Sequence, residues 1–281
     1  MADGDGEDAG AGVSFEVWGR PGVPARAARR GNRVLRDGKP WSETVFSILR
    51  HLEDQGFDGA PRVIGSGWSP DGQECLTFVP GKTLDEPFAW SPDGAFELGR
   101  LIRRVHRSLK SWTPPAGATY RPWFAREMAS PGSASSLAIG HCDAGPYNVV
   151  LADPGKPAII DWEFAGPTDA VWELAHVVWM NAQLHQTAFS DPGLPLPEVS
   201  VRGQTAAAIL DGYGCPARGR NSFMDFLVEY VIRSAAAKVE RIRHTVEEPT
   251  AVVDISRDIR WRLRGAEWIL ENRSELQRAF R

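Results

Sequence analysis

His141-Cys-Asp-Ala-Gly-Pro-Tyr-Asn148, the apolar run Val149-Val-Leu151, the turn residues Asp153-Pro-Gly155 and then Ile159-Ile-Asp161-Trp162 form the most informative stretch of this chain. Two β-branched or apolar runs separated by Pro-Gly read as a hairpin. If Val149 to Leu151 pairs with Ala158 to Ile160, Asn148 and Asp161 fall opposite each other, with Cβ atoms roughly 5 Å apart. An amide oxygen and a carboxylate facing one point make a poor transition-metal site. They suit a hard cation such as Mg²⁺, which completes its shell with phosphate oxygens and water. Asp143, five residues before Asn148, sits where Gly145 and Pro146 can fold the loop back towards the metal. There it can accept a hydroxyl proton. A base at the acceptor and a metal at the donor phosphates are the parts that phosphoryl transfer needs.

Outward from this stretch, the chain reads as two unlike halves. Ser14-Phe-Glu-Val-Trp18 and Arg33-Val-Leu-Arg36 are strand-like and flank a Gly/Pro/Arg segment. A helix capped by Ser42 follows to about Asp54, with Val45, Ile48, Leu49 and Leu52 on one face. Strands at Arg62 to Gly65 and Glu74 to Val79 come next, joined through Ser69-Pro-Asp-Gly72 and ended by Pro80-Gly81. Ala95 to Leu109 is an amphipathic helix whose expected buried side is Phe96, Leu98, Leu101, Ile102, Val105 and Leu109. Beyond the hairpin, helical patterns cover about 170 to 184, 199 to 212, 220 to 244 and 255 to 279. They are broken by the proline-rich linker Asp191 to Pro197. The expected domains are a disordered tail over 1–12, a nucleotide-binding lobe over 13–80 and a catalytic, acceptor-binding lobe over 81–281.

Composition narrows the class of function. The 281 residues carry 32 Lys/Arg and 36 Asp/Glu, and four of those acids, Asp3, Asp5, Glu7 and Asp8, lie in the polar tail. The remainder is charge-balanced, so no global field steers nucleic acid or anionic membrane, and no apolar run has the length of a membrane span. Neither nucleic acid nor membrane is expected as a partner. Cys75, Cys142 and Cys215 are odd in number and widely spaced, which fits neither a disulfide framework nor a Cys-x-x-Cys metal site. The tail lacks the basic and apolar regions of a secretory signal, so a cytoplasmic location is expected. Oligomeric state leaves no signal.

At His141, Asp143, Asn148 and Asp161 the sequence resembles the aminoglycoside phosphotransferase and choline kinase-like family, whose pattern is H-x-D-x-x-x-x-N followed by a strand and I-D-W/F. The pattern continues as D-P-x-x-D/E-L-A, here within Asp161-Trp-Glu-Phe-Ala-Gly-Pro-Thr-Asp169-Ala-Val-Trp-Glu173-Leu-Ala175. The resemblance implies an α+β, protein-kinase-like bilobal fold, with a small antiparallel-sheet N-lobe and a larger, mainly helical C-lobe. By it Asp143 is the base, Asn148 and Asp161 hold Mg²⁺ and thereby the nucleotide, and His141 braces the loop. ATP or GTP is the implied donor. Thr77-Phe78-Val79-Pro80-Gly81 looks like the hinge over adenine, which makes Phe78 and Val79 nucleotide-binding residues.

The departures are specific. The family places a phosphate-holding lysine on the third strand, paired to a glutamate of the following helix. Here Arg36 takes the lysine's place, Val45 falls where the glutamate belongs, and Glu43 lies two residues earlier. Cysteine at 142 replaces the family's common glycine. Asp169 reads equally as a helix cap and as a functional acid. Trp123, Trp162 and Trp172 are candidates for an acceptor cleft, because flat rings stack on sugars and bases.

The expected activity is phosphorylation of a hydroxyl on a small molecule, an antibiotic of nucleoside-type, sugar-containing or aminoglycoside kind. From Pro216 to Arg281 there are 13 Lys/Arg against 10 Asp/Glu, a balance that disfavours a polycationic acceptor. A small-metabolite kinase of choline or homoserine type shares the same chemistry. A nucleotide-binding pseudoenzyme fits the altered lysine and glutamate positions, but it has no need of Asp143. A metal-dependent hydrolase built on His141, Asp143 and Asp161 leaves Asn148 idle. A Cys142 nucleophile has no recognisable helper residue.

Overall fold

A computed structural model describes residues 15–18, 27–84, 88–124, 138–153, 156–189, 191–243 and 249–280. The tail expected at 1–12, most of the Gly/Pro/Arg segment and the Pro154-Gly155 turn lie outside the described residues.

The N-terminal part is a five-stranded antiparallel sheet in the order β1-β2-β3-β5-β4. Its strands are β1 (Phe15–Trp18), β2 (Ala27–Arg30), β3 (Arg33–Asp37), β4 (Val63–Trp68) and β5 (Gln73–Thr77). Helix α1 (Ser42–Asp54) is inserted between β3 and β4 and buries Val45, Ile48, Leu49 and Leu52. β2 is an addition to the sequence reading. Its residues, Ala-Ala-Arg-Arg, show no apolar alternation, and the strand exists because β1 and β3 pair along both its edges. Ser42 does not cap α1. Trp41 holds the cap position, and the Ser42 hydroxyl instead accepts from the Lys39 N–H at 2.7 Å and donates to Glu74.

The C-terminal part is built on α2 (Pro92–Ser108), which opens earlier than its apolar pattern because Pro92 presets the first turn. The Ser91 hydroxyl caps it by accepting from the Gly94 N–H at 3.1 Å. Leu98, Leu101, Ile102, Val105 and Leu109 are buried as expected, but Phe96 is 39% exposed. It lies at the edge of the stripe, where the neighbouring helix approaches its backbone instead of its ring. That neighbour is α4 (Val199–Tyr213), reached after α3 (Ala170–Asn181) and the irregular segment through Pro192, Pro195 and Pro197. Two glycines set the close crossing of α2 and α4. A Cβ on Gly99 would overlap the Ile209 carbonyl, and one on Gly212 would overlap the Phe96 carbonyl.

Short strands carry the functional stretch. β6 (Lys82–Thr83), β8 (Val149–Asp153) and β9 (Lys156–Ile159) form one sheet; β7 (Ala138–Gly140) and β10 (Gly166–Thr168) form another. The chain closes with α5 (Arg220–Arg243), α6 (Pro249–Glu271) and α7 (Arg273–Ala279). The single helix expected over 255 to 279 is thus two, broken at Asn272, whose side-chain amide donates to the Trp268 carbonyl at 2.8 Å. None of the described helices is long and apolar enough to cross a membrane. The architecture is bilobal α+β, with an antiparallel-sheet lobe and a larger, mainly helical lobe.

Replacing Gly99 or Gly212 by alanine forces α2 and α4 apart. We expect a loss of about 1–3 kcal/mol in stability, read as a lower Tm, with nucleotide affinity unchanged in the folded protein.

Candidate active site

The loop after β7 is held by one buried carboxylate. Glu173, on the first turn of α3, is fully buried and accepts from the backbone N–H groups of His141 (2.8 Å) and Cys142 (2.9 Å) and from His106 Nε2 (2.6 Å). Burial alone would raise its pKa. The charge and hydrogen bond of His106 on α2, together with the Cys142 N–H, outweigh burial and hold it down to about 2. Gly140 makes room for this clamp, since a Cβ there would overlap Glu173 Oε2. Cys142 sits at φ 66°, the left-handed region that favours glycine. A glycine would adopt this conformation without strain. The Cys142 side chain is buried, its thiol 3.9 Å from the Gly166 carbonyl.

Asp143 then projects from the loop with its side chain 24% exposed. Tyr147 donates its hydroxyl to Asp143 Oδ1 at 2.8 Å, and Asn148 Nδ2 donates to Oδ2 at 3.1 Å and to the Asp143 carbonyl at 2.9 Å. Burial drives the carboxyl up to about 7; the Tyr147 hydrogen bond opposes this and the negative charge of Asp161 adds to it. His176 of α3 faces the same carboxylate, with Nε2 3.6 Å from Oδ1. The Tyr230 hydroxyl is buried and shares a hydrogen bond with His176 Nδ1 at 2.8 Å. The ring's Nε2 is buried without a hydrogen-bond partner. Burial holds His176 down to about 3, so its ring is neutral.

His141 joins the two halves of the site. Its Nδ1 accepts from the Asp143 N–H at 3.2 Å, its Nε2 donates to the Ile160 carbonyl at 2.9 Å, and its ring packs edge-on against Trp162 at 4.8 Å. Burial pushes its pKa down. With both nitrogens engaged it is not available as a metal ligand, which leaves the hydrolase arrangement without its histidine.

The hairpin corrects the expected register. At the tip Asp153 pairs with Lys156, but a bulge follows, and Leu151, Val150 and Val149 pair with Pro157, Ala158 and Ile159. Asn148 is therefore opposite Ile160, whose N–H donates to the Asn148 carbonyl at 2.9 Å, and Asp161 lies one residue further on. Asp161 itself adopts φ 60° and ψ 63°, a left-handed turn that aspartate tolerates and that redirects its side chain. Asn148 spends its amide N–H groups on Asp143, so Oδ1 is its remaining acceptor. An amide oxygen and a carboxylate form the hard-oxygen donor set that Mg²⁺ takes. Among the described residues no three His, Cys, Asp or Glu side chains group as a metal cage.

Arg36 on β3 donates from Nε to Glu74 and from Nη1 to Asp161 Oδ1 at 2.6 Å. Beyond β5, the Phe78 N–H donates to the Asn32 carbonyl at 2.9 Å, and Arg29 stacks on the Phe78 ring at 3.7 Å. Val79 is half-buried. At Gly81, φ 136° and the closeness of Leu151 and Val150 bring this crossing segment against β8, the strand that follows Asn148.

The structure gives Asp169 and three tryptophans these surroundings. Asp169 is a cap: its carboxylate accepts from the Val171 N–H at 2.8 Å. Trp162 is fully buried and donates its Nε1–H to the Ile159 carbonyl, so it lines no acceptor cleft. Trp172 is packed against Phe226 and Phe124, and Trp123 against Phe124. Sequence reasoning missed Glu74 and His176. The first looked like a strand end, and the second follows Glu173-Leu-Ala175 with no spacing rule to mark it.

An unfolded aspartate titrates near 3.8 and Asp143 near 7, so unfolding releases a proton between these values and stability falls as pH rises through that window. Asp143→Asn removes this cost. In metal-free buffer its stabilisation should be greater at pH 8 than at pH 5 by about 2 kcal/mol, measured by denaturant unfolding at each pH. Cys142→Gly relieves the left-handed strain and should retain full activity, measured as turnover beside the wild type.

Comparison with known proteins agrees with this geometry. Residues 123–220 match the family model described as "Phosphotransferase enzyme family". The trifolitoxin immunity protein of Rhizobium leguminosarum bv. trifolii is 38% identical over 268 residues, covering 95% of this chain and all of that protein. Among solved structures, a choline/ethanolamine kinase family protein from Mesorhizobium loti is similar in fold, with TM-score 0.59 and 15% identity over 97% of this chain and 94% of its own. An aminoglycoside phosphotransferase from Alicyclobacillus acidocaldarius subsp. acidocaldarius gives TM-score 0.55 at 12% identity, covering 93% of each chain. An amicoumacin kinase in complex with AMP-PNP and Ca²⁺ gives 0.58 at 12%, covering 90% of this chain and 88% of its own. Together with the clamped loop and its neighbouring carboxylates, these matches show that the chain belongs to the phosphotransferase enzyme family and carries its kinase-like fold.

Proposed function

We propose that this protein transfers the γ-phosphoryl group of ATP, with GTP as the alternative donor, to a hydroxyl of a small antibacterial compound and so protects its host. The observation that carries this reading is the placing of a carboxylate that has no cation at hydrogen-bond distance among the described residues beside a buried imidazole nitrogen that has no hydrogen-bond partner. Asp143 lies beside the buried, unpartnered His176 Nε2, whereas Asp161 is bonded to Arg36. The immunity function in the relative's name supports a toxin or antibiotic as acceptor.

In this scheme the acceptor hydroxyl donates to Asp143 and accepts from His176 Nε2–H. Its oxygen then forms a bond to the γ-phosphorus as the bond to the β–γ bridging oxygen breaks. The hydroxyl proton passes to Asp143, and the nucleoside diphosphate leaves with the bridging electron pair. Asn148 Oδ1 and the Asp161 carboxylate would hold Mg²⁺, which supplies charge neutralisation at the phosphates. Arg36 binds phosphate oxygens from the opposite strand, and Phe78 and Val79 frame the base. The raised pKa of Asp143 matches the task, because a base near neutrality accepts a proton readily while remaining largely ionised above pH 7. A choline- or homoserine-type metabolite kinase would run the same steps on a different hydroxyl.

A mass-spectrometric screen of hydroxylated toxins, antibiotics and metabolites with Mg²⁺ and ATP or GTP tests the proposal. One compound should gain a single phosphoryl mass with wild type and none with Asp143→Ala; an Asp143→Ala protein as active as wild type would overturn it. Once the acceptor is known, His176→Ala should raise its KM about tenfold or more and leave the nucleotide KM unchanged.

A further inference from the structure

The strand arginine needs a carboxylate to hold it, and helix α1 does not provide one. Val45 points into the core, and Glu43 accepts from Trp68 Nε1 at 2.7 Å. The carboxylate comes from the sheet. Arg36 and Glu74 are directly opposed in the β3–β5 ladder, so their side chains emerge on the same face. Glu74 is 1% exposed and both its oxygens are taken, Oε2 by Arg36 Nε and Oε1 by the Ser42 hydroxyl. A buried carboxylate without a cation would be strongly destabilising, so Arg36 is bound into place as firmly as Glu74 is. The guanidinium is rigid and planar. With Nε on Glu74 and Nη1 on Asp161, the direction of Nη2 is fixed, and no described residue accepts from it.

We propose that Glu74 is the positioning residue for the nucleotide phosphates: it locks the Arg36 guanidinium so that Nη2 is presented to phosphate oxygens while Nη1 stays on Asp161. A sheet carboxylate thereby does what a helix carboxylate does in the family pattern, and α1 contributes only the Ser42 hydroxyl. This explains why position 36 is arginine. A lysine nitrogen is a point donor on a flexible stem and cannot serve Glu74, Asp161 and a phosphate in one plane. The arginine and its carboxylate are thereby held by the β3–β5 ladder itself, and α1 acts on them only through Ser42.

The inference rests on the phosphotransferase reading, and calorimetric titration with Mg²⁺·AMP-PNP separates the two. Glu74→Gln should weaken binding about tenfold or more at unchanged stoichiometry, whereas Glu43→Gln should stay within about twofold of wild type. In an Arg36→Gln background, Glu74→Gln should cost no further affinity, since its action passes through the arginine. A merely structural Glu74 would lower Tm and leave the affinity of the folded fraction intact. If Glu74→Gln does not fold, Ser42→Ala decides, with a severalfold loss expected. Wild-type affinity in the folded Glu74 or Ser42 variant, or additive losses in the double variant, would overturn the inference while leaving the activity standing. A wild-type protein that binds no Mg²⁺·AMP-PNP would overturn both.

Discussion

The Glu173 carboxylate is the constraint on which the rest of this site depends. It is a charge in the core of the helical lobe, and it is stable there because two backbone N–H groups and a histidine converge on it. Those two N–H groups belong to the loop that carries Asp143. The histidine belongs to α2, and the glutamate to α3, so one carboxylate ties three segments distant in sequence. Its presence dictates other features: glycine at 140, where any Cβ would collide, and a left-handed backbone at Cys142, just before Asp143. His106 is in turn fixed by the Tyr213 hydroxyl at 2.9 Å, which connects the clamp to α4.

From that clamp the site divides its charges. Arg36 serves two carboxylates, Glu74 and Asp161, so that side is electrostatically paired. Asp143 has no such cation at hydrogen-bond distance among the described residues; its partners are a phenol, an amide and a neutral imidazole. The same functional group therefore has different surroundings at the two places. Asp161 is held beside a permanent cation, while burial moves Asp143 up to about 7. A carboxyl raised towards neutrality by burial suits the acceptance of a proton, the role proposed for Asp143.

What was legible in the sequence was local. His141, Asp143, Asn148 and Asp161 are close in the chain, and their grouping follows from one loop and one hairpin. Helix α1 was legible because Val45, Ile48, Leu49 and Leu52 repeat at helical spacing. The hairpin register was missed by one residue, since a bulge between Leu151 and Asp153 leaves no signature in the residue types. Glu74 was invisible for a deeper reason: its partner is 38 positions away, and only strand pairing shows that the two face each other. The orphan nitrogen of His176 likewise depends on the packing of α3 against α5, through Tyr230. β2 was hidden because its residues, Ala27 to Arg30, carry no pattern of their own.

The division of labour is the central claim, and one measurement addresses it directly: calorimetric titration of Mg²⁺·AMP-PNP into wild type, Asp143→Ala and Asp161→Ala at one pH. If Asp161 holds the metal-nucleotide and Asp143 is reserved for the acceptor, Asp143→Ala binds within about threefold of wild type and Asp161→Ala loses about tenfold or more. Equal losses in the two variants would contradict the account, because both carboxylates would then be serving the nucleotide.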